Sequence, residues 1–177
     1  MTGTMKEAMT DSKLIIEQLQ PRHDRRAFDC GIDSLNHYLE RQAGQDIKRR
    51  IARVYIAASE DQPERIVGYY TLSTLAIELT HLPAELAQRL PRHPIPAALI
   101  GRLACATTYQ GKGIGKMLLM DAIKRTIAVS EQIGIYAMAV DALNPQAEAF
   151  YRQYGFQMLA QEQRRLFLPL QRLAAQT

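Results

Sequence analysis

The sequence has little cysteine, and it has no tryptophan. Its only cysteines, Cys30 and Cys105, are too few for a disulfide framework, and neither lies in a Cys-x-x-Cys pair. The four histidines are not spaced like the ligands of a metal site. We therefore expect two reduced, packed thiols and no bound metal.

Long apolar runs are missing as well. Charged side chains interrupt every apolar run well short of the roughly 20 residues that are needed to cross a bilayer. Residues 1–11 are polar and include Lys6 and Glu7, without the apolar block of a signal peptide. These absences predict a protein that has no membrane contact and lies in the cytoplasm.

The residues that are present suffice for one hydrophobic core. The chain has 177 residues, of which 47% are hydrophobic and 23% charged, and this length suits one domain better than two. It has no internal repeat and no linker-like tract. We expect a disordered N-terminal segment at residues 1–12 and a single domain at residues 13–177.

The net charge of +4 points weakly to an anionic partner. Clusters of basic residues of this size are usually solvated surface, so charge alone does not establish nucleic-acid binding. The basic residues cluster at four places: Arg22, Arg25 and Arg26; Lys48, Arg49, Arg50 and Arg53; Arg89 and Arg92; Arg164 and Arg165.

Periodicity in the sequence predicts an α/β fold. Apolar residues recur at helical spacing in four segments, and β-branched or aromatic runs bounded by turn residues mark the strands. The helices are expected at residues 34–50, 81–89, 114–130 and 145–154. The strands are expected at residues 14–19, 51–58, 66–75, 98–104 and 135–140, with the last strands within residues 157–170.

A glycine-rich loop lies between the strand at 98–104 and the helix at 114–130. Three glycines, Gly111, Gly113 and Gly115, allow backbone N–H groups to approach an anion at the helix N-terminus. A Walker A loop is disfavoured because only three residues separate Gly111 from Gly115 and Met117 follows Lys116. The dinucleotide fingerprint fails because Gly115 comes one residue too early. The glycines alone leave open a plain strand-to-helix turn.

The residues that flank the glycines decide between an anion site and a plain turn, because they resemble a known motif. Gln110-x-x-Gly113-x-Gly115, which follows the strand at residues 101–105, resembles the pyrophosphate-binding motif of the GNAT acetyltransferases. Asn144, followed by Ala149-Phe150-Tyr151 and Tyr154-Gly155-Phe156, is similar to a second motif of that family. The resemblance covers nearly the whole chain. It implies the GNAT fold, an α/β (α+β) fold with a mixed central sheet of about six to seven strands, flanked by helices and splayed around an acetyl-CoA site.

The same resemblance implies acetyl-CoA as co-substrate and a set of residues that bind it. Backbone groups before the loop polarise the acetyl carbonyl in the family, and the loop itself cradles the pyrophosphate. The cofactor-binding residues implied for this chain are Leu103, Ala104, Cys105, Gln110, Gly111, Lys112, Gly113, Ile114, Gly115, Lys116, Asn144 and Tyr154.

Tyr151 is the candidate catalytic residue. N-acetyl transfer needs a neutral amine, a donor to the developing oxyanion and a proton for the departing thiolate. Tyr151 matches the family tyrosine near the CoA sulfur, and a phenol of reference pKa near 10 stays protonated at neutral pH. It could instead only pack, as Phe150 and Phe156 are expected to do. Cys105 has no histidine partner and is not expected to act as a nucleophile.

Further segments resemble a particular branch of the family. Residues 28–31, 35–39, 68–70 and 99–103 are similar to the GNAT toxins of bacterial toxin–antitoxin pairs. This resemblance implies a homodimer that acetylates the α-amino group of aminoacyl-tRNA, blocks translation and is neutralised by a ribbon-helix-helix antitoxin. The alternatives are a GNAT enzyme that acts on a small amine or a protein N-terminus, and a non-catalytic module that binds acyl-CoA.

Overall fold

The computed structural model describes residues 12–160 and 164–174. The N-terminal segment at 1–12, predicted to be disordered, therefore lies outside the described residues apart from Ser12. The strands are β1 (Leu14–Gln18), β2 (Arg53–Ser59), β3 (Gly68–Ile77), β4 (Ile95–Cys105), β5 (Ala137–Asp141), β6 (Gln157–Met158) and β7 (Arg165–Pro169). The helices are α1 (Asp33–His37), α2 (Ala43–Lys48), α3 (Ala84–Ala87), α4 (Ile114–Ser130), α5 (Pro145–Gln153) and α6 (Leu170–Ala174).

All seven strands form one mixed sheet, as predicted, in the order β1-β2-β3-β4-β5-β7-β6. Neighbouring strands are antiparallel except for β4 and β5, which are parallel. A parallel pair needs a crossover connection, and α4 provides it. The predicted bounds of α4 are confirmed, and so is the placing of the glycine loop between β4 and this helix.

The sheet opens where β4 outruns β5. The parallel ladder joins Ala97–Ile100 to Ala137–Val140 and then stops. From there β4 continues to Cys105, whereas β5 ends at Asp141. Among the described residues, no strand pairs with the last residues of β4 on the side away from β3, so the sheet is open there.

Two apolar layers hold helices against the opposite faces of the sheet. On one face α4 packs Leu118, Leu119 and Ala122 against buried side chains of the central strands. On the other face the segment that contains α1 and α2 buries Tyr38 and Leu39. The open end of β4 thus lies between a helix that follows the glycine loop and a helical segment that faces the other way.

Three sequence-based bounds need correction. The helix predicted at 34–50 is interrupted by a π-helical turn at Tyr38–Gln42. The helix predicted at 81–89 shrinks to α3, after a 3₁₀ turn at Leu79–His81, because Pro83 precedes it and prolines follow. The strand expected from residue 98 begins at Ile95 and includes Pro96. The carbonyl of Pro96 accepts from Tyr136 N, so the N–H that proline lacks would point away from β3, and the β3–β4 ladder survives.

Among the described residues, no helix is both long and apolar enough to cross a membrane.

Candidate active site

The glycine loop presents backbone donors to solvent. Gly111 and Gly113 have φ angles of +76° and +81°, in the left-handed region that favours glycine. A Cβ built at either position would meet nothing within 4 Å, so the loop surface is open. Gly113 is the N-cap of α4, and the first turn of that helix has no side-chain cap and no acidic residue. Its free N–H groups and the helix dipole suit an anion, as the pyrophosphate of acetyl-CoA requires.

The side chain of Gln110 turns away from this surface. Its Nε2 donates to the carbonyl oxygens of both Cys30 and Cys105, each at 3.1 Å. A further hydrogen bond joins the residues after β4 to the segment before α1: Thr107 N donates to Asp29 O at 2.9 Å. Gln110 therefore clips the segment before α1 to the end of β4.

The direction of the backbone groups at the end of β4 follows from two hydrogen bonds. Ala106 N donates to Val67 O, so Ala106 faces β3, and alternation along the strand makes Ala104 do the same. Leu103 and Cys105 then direct their N–H and C=O groups to the open side, where Cys105 O accepts from Gln110. Leu103 also lines the cavity at this opening. Its N–H is a donor of the kind that a developing oxyanion needs.

Tyr151 lies on α5 beside this opening and is only 3% exposed. Its ring packs edge-on against Phe150 and Phe156, with centroids 5.2 and 5.8 Å away, so packing and access to the cavity coexist at this residue. Burial raises the pKa of its phenol well above the ordinary value, and the negative charge of Asp141 adds to the effect. The hydroxyl therefore stays protonated, as a general acid must before it acts.

The other predicted side chains divide between structural and exposed positions. Burial raises the pKa of the Cys105 thiol to about 11, so its thiolate is scarce at neutral pH, in line with the prediction that it is no nucleophile. Asn144 caps α5, since its Oδ1 accepts from Ala147 N at 2.8 Å. Tyr154 packs against Phe150 at the end of α5. Lys112 and Lys116 are exposed on the loop, and the Lys112 ammonium lies 5.3 Å from the centre of the Tyr109 ring.

A cavity of about 1120 Å³ extends from the open end of β4 to α1 and α2. Tyr151 and Leu103 line one end, and Leu35 and Tyr38 line the other. Its size exceeds that of most small-molecule pockets, which suits an acceptor larger than a simple amine. The glycine loop does not line this cavity, so the anion site and the cavity are separate and meet at β4.

Sequence reasoning missed the wall of this cavity. The sequence marks Arg102 only as part of a strand and gives no signal at Thr71. Both line the cavity, and Arg102 stacks on Tyr38 with its Cζ 3.6 Å from the ring centroid. No local pattern could reveal this group, because its members come from β3, β4 and the π-helical turn.

Residues 50–158 match the model of the acetyltransferase (GNAT) domain, and the chain belongs to this family of acetyltransferases. It is 35% identical over 168 residues to a probable toxin TacT of Sinorhizobium fredii (strain NBRC 101917 / NGR234), covering 90% of this chain and 92% of that protein. It is 32% identical over 135 residues to a tRNA-acetylating toxin of Mycobacterium tuberculosis (strain ATCC 25618 / H37Rv), covering 76% and 79%.

Solved structures of the same kind superpose closely. A tyrosine-to-phenylalanine mutant of KacT matches with a TM-score of 0.87 at 33% identity, over 93% of this chain and 99% of that one. AtaT complexed with acetyl-methionyl-tRNAfMet matches with a TM-score of 0.86 at 31% identity, over the same shares. A tyrosine-to-phenylalanine mutant of AtaT, bound to the C-terminus of the antitoxin AtaR and to acetyl-CoA, matches at 0.78 and 30% identity, over 92% and 97%.

Proposed function

We propose that this chain is a toxin that transfers the acetyl group of acetyl-CoA to the α-amino group of an aminoacyl-tRNA and so blocks translation. The observation that carries the proposal is the buried, protonated phenol of Tyr151 at one end of a large cavity, beside the unpaired backbone of β4. The relatives named above, which include a tRNA-acetylating toxin, support the choice of acceptor.

In the proposed site the loop at residues 110–116 binds the pyrophosphate through backbone N–H groups. Gly111 and Gly113 keep the approach open, while Lys112 and Lys116 add positive charge. The pantetheine arm then runs along residues 103–105 of β4, with Asn144 and Tyr154 on the α5 side. Asn144 has its Oδ1 engaged in the helix cap, so its amide N–H groups are the ones offered to the arm.

In the proposed reaction the neutral amine attacks the thioester carbonyl directly. The carbonyl oxygen gains charge and is stabilised by the N–H of Leu103, which points to the open side of β4. Collapse of the tetrahedral intermediate breaks the C–S bond, and Tyr151 donates its proton to the departing thiolate. The attacking nitrogen, which is cationic after the attack, releases its extra proton to water, and the phenolate of Tyr151 takes a proton back from water. No side-chain base is assigned, because an α-amine with a pKa of about 7.7 to 8.0 or below is partly neutral near pH 7.

The proposal extends to the setting of the enzyme. Residues 13–177 form one catalytic domain, which acts in the cytoplasm as a homodimer and is neutralised by an antitoxin of the ribbon-helix-helix type. The AtaT structure with the C-terminus of AtaR supports an antitoxin partner.

The test is transfer of radiolabelled acetyl groups from acetyl-CoA to a pool of charged tRNAs. Wild-type protein should label aminoacyl-tRNA, and Tyr151→Phe should not. Tyr136→Phe is the matched control, because Tyr136 packs in a separate apolar cluster at the start of β5. Protein that binds acetyl-CoA but labels no charged tRNA would contradict the proposal and direct the search to small amines and protein N-termini.

A further inference from the structure

A β-bulge in β4 sets the direction of Arg102. Ile100 pairs with Leu72 and Leu103 pairs with Tyr70, so two residues of β4, Gly101 and Arg102, face a single residue of β3. Bulges of this kind bend a strand and redirect a side chain, and they are common beside active sites. The register shift is therefore local, and the pairing of β3 with β4 is regular on both sides of it.

The residue that faces the bulge holds it in place. Thr71 is buried, and its Oγ1 accepts a hydrogen bond from Arg102 N at 3.1 Å. A Cβ at Gly101 would lie only 3.3 Å from the same Oγ1, so a glycine there allows the close approach. The bulge places Arg102 on the face of the sheet that α1 and α2 cover.

The guanidinium of Arg102 stacks on the ring of Tyr38, which is itself held in place. Its Cζ lies 3.6 Å from the centroid of the Tyr38 ring, which is 2% exposed. The Tyr38 hydroxyl donates to Asp46 Oδ2 at 2.8 Å, so the ring cannot turn away. Stacking covers one face of the guanidinium and leaves its N–H groups, which lie in the plane, able to bind a ligand.

Two of the carboxylates that line the cavity are engaged by other side chains. Asp141 accepts two hydrogen bonds from Arg165, at 2.7 and 3.1 Å, and Asp46 accepts from Tyr38. Within residues 12–160 and 164–174, the Arg102 side chain makes no ion pair and donates no hydrogen bond. A half-buried cation that is stacked, aimed into a cavity and not neutralised by the protein is suited to an anionic ligand.

We propose that Arg102 binds a backbone phosphate of the single-stranded 3′ end of the acceptor, in a bidentate contact that sets the aminoacyl ester beside Tyr151. The inference rests on the proposed function, because an aminoacyl-tRNA acceptor brings a phosphate within one nucleotide of its amine. Arg102 and Tyr151 line the same cavity, whereas the glycine loop lies outside it. Arg102 is thus an acceptor contact and not a second contact for acetyl-CoA.

The experiment compares Arg102→Met and Arg102→Lys with wild type. Arg172→Met is the matched control, since Arg172 is exposed, belongs to none of the four basic clusters and does not line the cavity. Three quantities are measured for each protein: the Kd for acetyl-CoA alone, the KM for charged tRNA at saturating acetyl-CoA, and the dependence of log(kcat/KM) for tRNA on log salt concentration. Acetyl-CoA binding also reports whether each variant is folded.

Arg102→Met should raise the KM for charged tRNA by about 10- to 100-fold, as expected for losing hydrogen bonds to a charged group. Its salt slope should be shallower by about 0.7, the value for one contact to a single strand. Arg102→Lys should keep the slope and lose several-fold in KM, because it retains the charge without the planar fork. The Kd for acetyl-CoA should not change in any variant.

Three outcomes would overturn the inference. If the KM for tRNA and the salt slope of Arg102→Met equal those of Arg172→Met, Arg102 makes no special phosphate contact. If the main change is a weaker Kd for acetyl-CoA, the phosphate belongs to CoA. If wild type labels no charged tRNA at all, the proposed function fails and takes the acceptor contact with it, whatever the variants do.

Discussion

The two sides of the open end of β4 are built differently. On the side of α4, the candidate acetyl-CoA site is built mainly from backbone: the exposed N–H groups of the loop and the N–H groups on the open side of β4. On the side of α1 and α2, the cavity wall consists of side chains, with Arg102 stacked on Tyr38. Backbone donors suit a ligand that never varies, whereas a wall of side chains can be altered to select an acceptor. Substitutions on one side should therefore change the Kd for acetyl-CoA, and substitutions on the other should change the KM for the acceptor.

The largest effect is expected at Tyr151, where the two sides meet. Tyr151→Phe should lower kcat by about 100- to 1000-fold, because the departing thiolate loses its proton donor. The Kd for acetyl-CoA should stay within about twofold, since the phenyl ring keeps the packing against Phe150 and Phe156. Single-turnover kinetics and calorimetry measure the two quantities. A change in Kd alone would make Tyr151 a packing residue.

The next effect should fall on the acetyl-CoA side only. Gly113→Ala forces a side chain into a φ of +81°, which costs roughly 1 to 2 kcal/mol for an L-residue. The Kd for acetyl-CoA should rise about tenfold as the loop shifts, while the KM for the acceptor should not change. Gly134→Ala is the control, because its backbone is not left-handed and a Cβ there meets nothing within 4 Å. Equal effects of the two variants would show that the loop geometry is unimportant.

A smaller effect is expected at Gln110, and it should change both the acetyl-CoA site and the cavity. Gln110→Met removes both hydrogen bonds to the carbonyls of Cys30 and Cys105, at about 0.5 to 1.5 kcal/mol each. Because these bonds join the segment before α1 to β4, the Kd for acetyl-CoA and the KM for the acceptor should both rise a few-fold. Gln146→Met, at an exposed position on α5, is the control. If only the acetyl-CoA constant changes, Gln110 serves the loop alone.

The smallest expected effect concerns the pH dependence of kcat/KM, which should not fall at high pH. Burial raises the pKa of the Tyr151 phenol above its usual value near 10, so its acid form persists as pH rises past that value. Deprotonation of the acceptor amine should raise kcat/KM with pH up to a plateau, with no fall up to about pH 10. A pH–rate profile measured with a hydrolysis-resistant amide analogue of the acceptor checks this. A descending limb with an apparent pKa near 8 or 9 would assign the proton donor to another group.

The parts of the fold that local sequence determines were predicted well. The bounds of α4 follow from a sustained apolar stripe that begins just after the N-cap Gly113, and the glycine loop follows from residues that are adjacent in the chain. The resemblance of its motif to that of the GNAT family implies Tyr151 as the catalytic residue, and Tyr151 lines the cavity.

The parts that were missed depend on contacts between distant segments. The π-helical turn at Tyr38–Gln42 breaks a pattern that reads as a continuous helix, and Tyr38 is held there by Asp46 and by the sheet. The bulge that aims Arg102 depends on the register between β3 and β4 and on the hydroxyl of Thr71. Neither feature leaves a periodic signal. The extra length of β4 was missed because proline normally argues against a strand interior.

Within residues 12–160 and 164–174, no strand pairs with the N–H of Leu103, and the main-chain origin of this donor limits how mutation can remove it. A main-chain donor is present whichever side chain the codon specifies, and only proline removes it. If the proposed toxin is expressed and surviving cells are sequenced, single-nucleotide escape mutations should collect at Tyr151 and at the left-handed glycines. Leu103 should collect few such mutations apart from Leu103→Pro. Stabilisation of the oxyanion by a main-chain donor would then be the part of the reaction that random mutation disrupts least often.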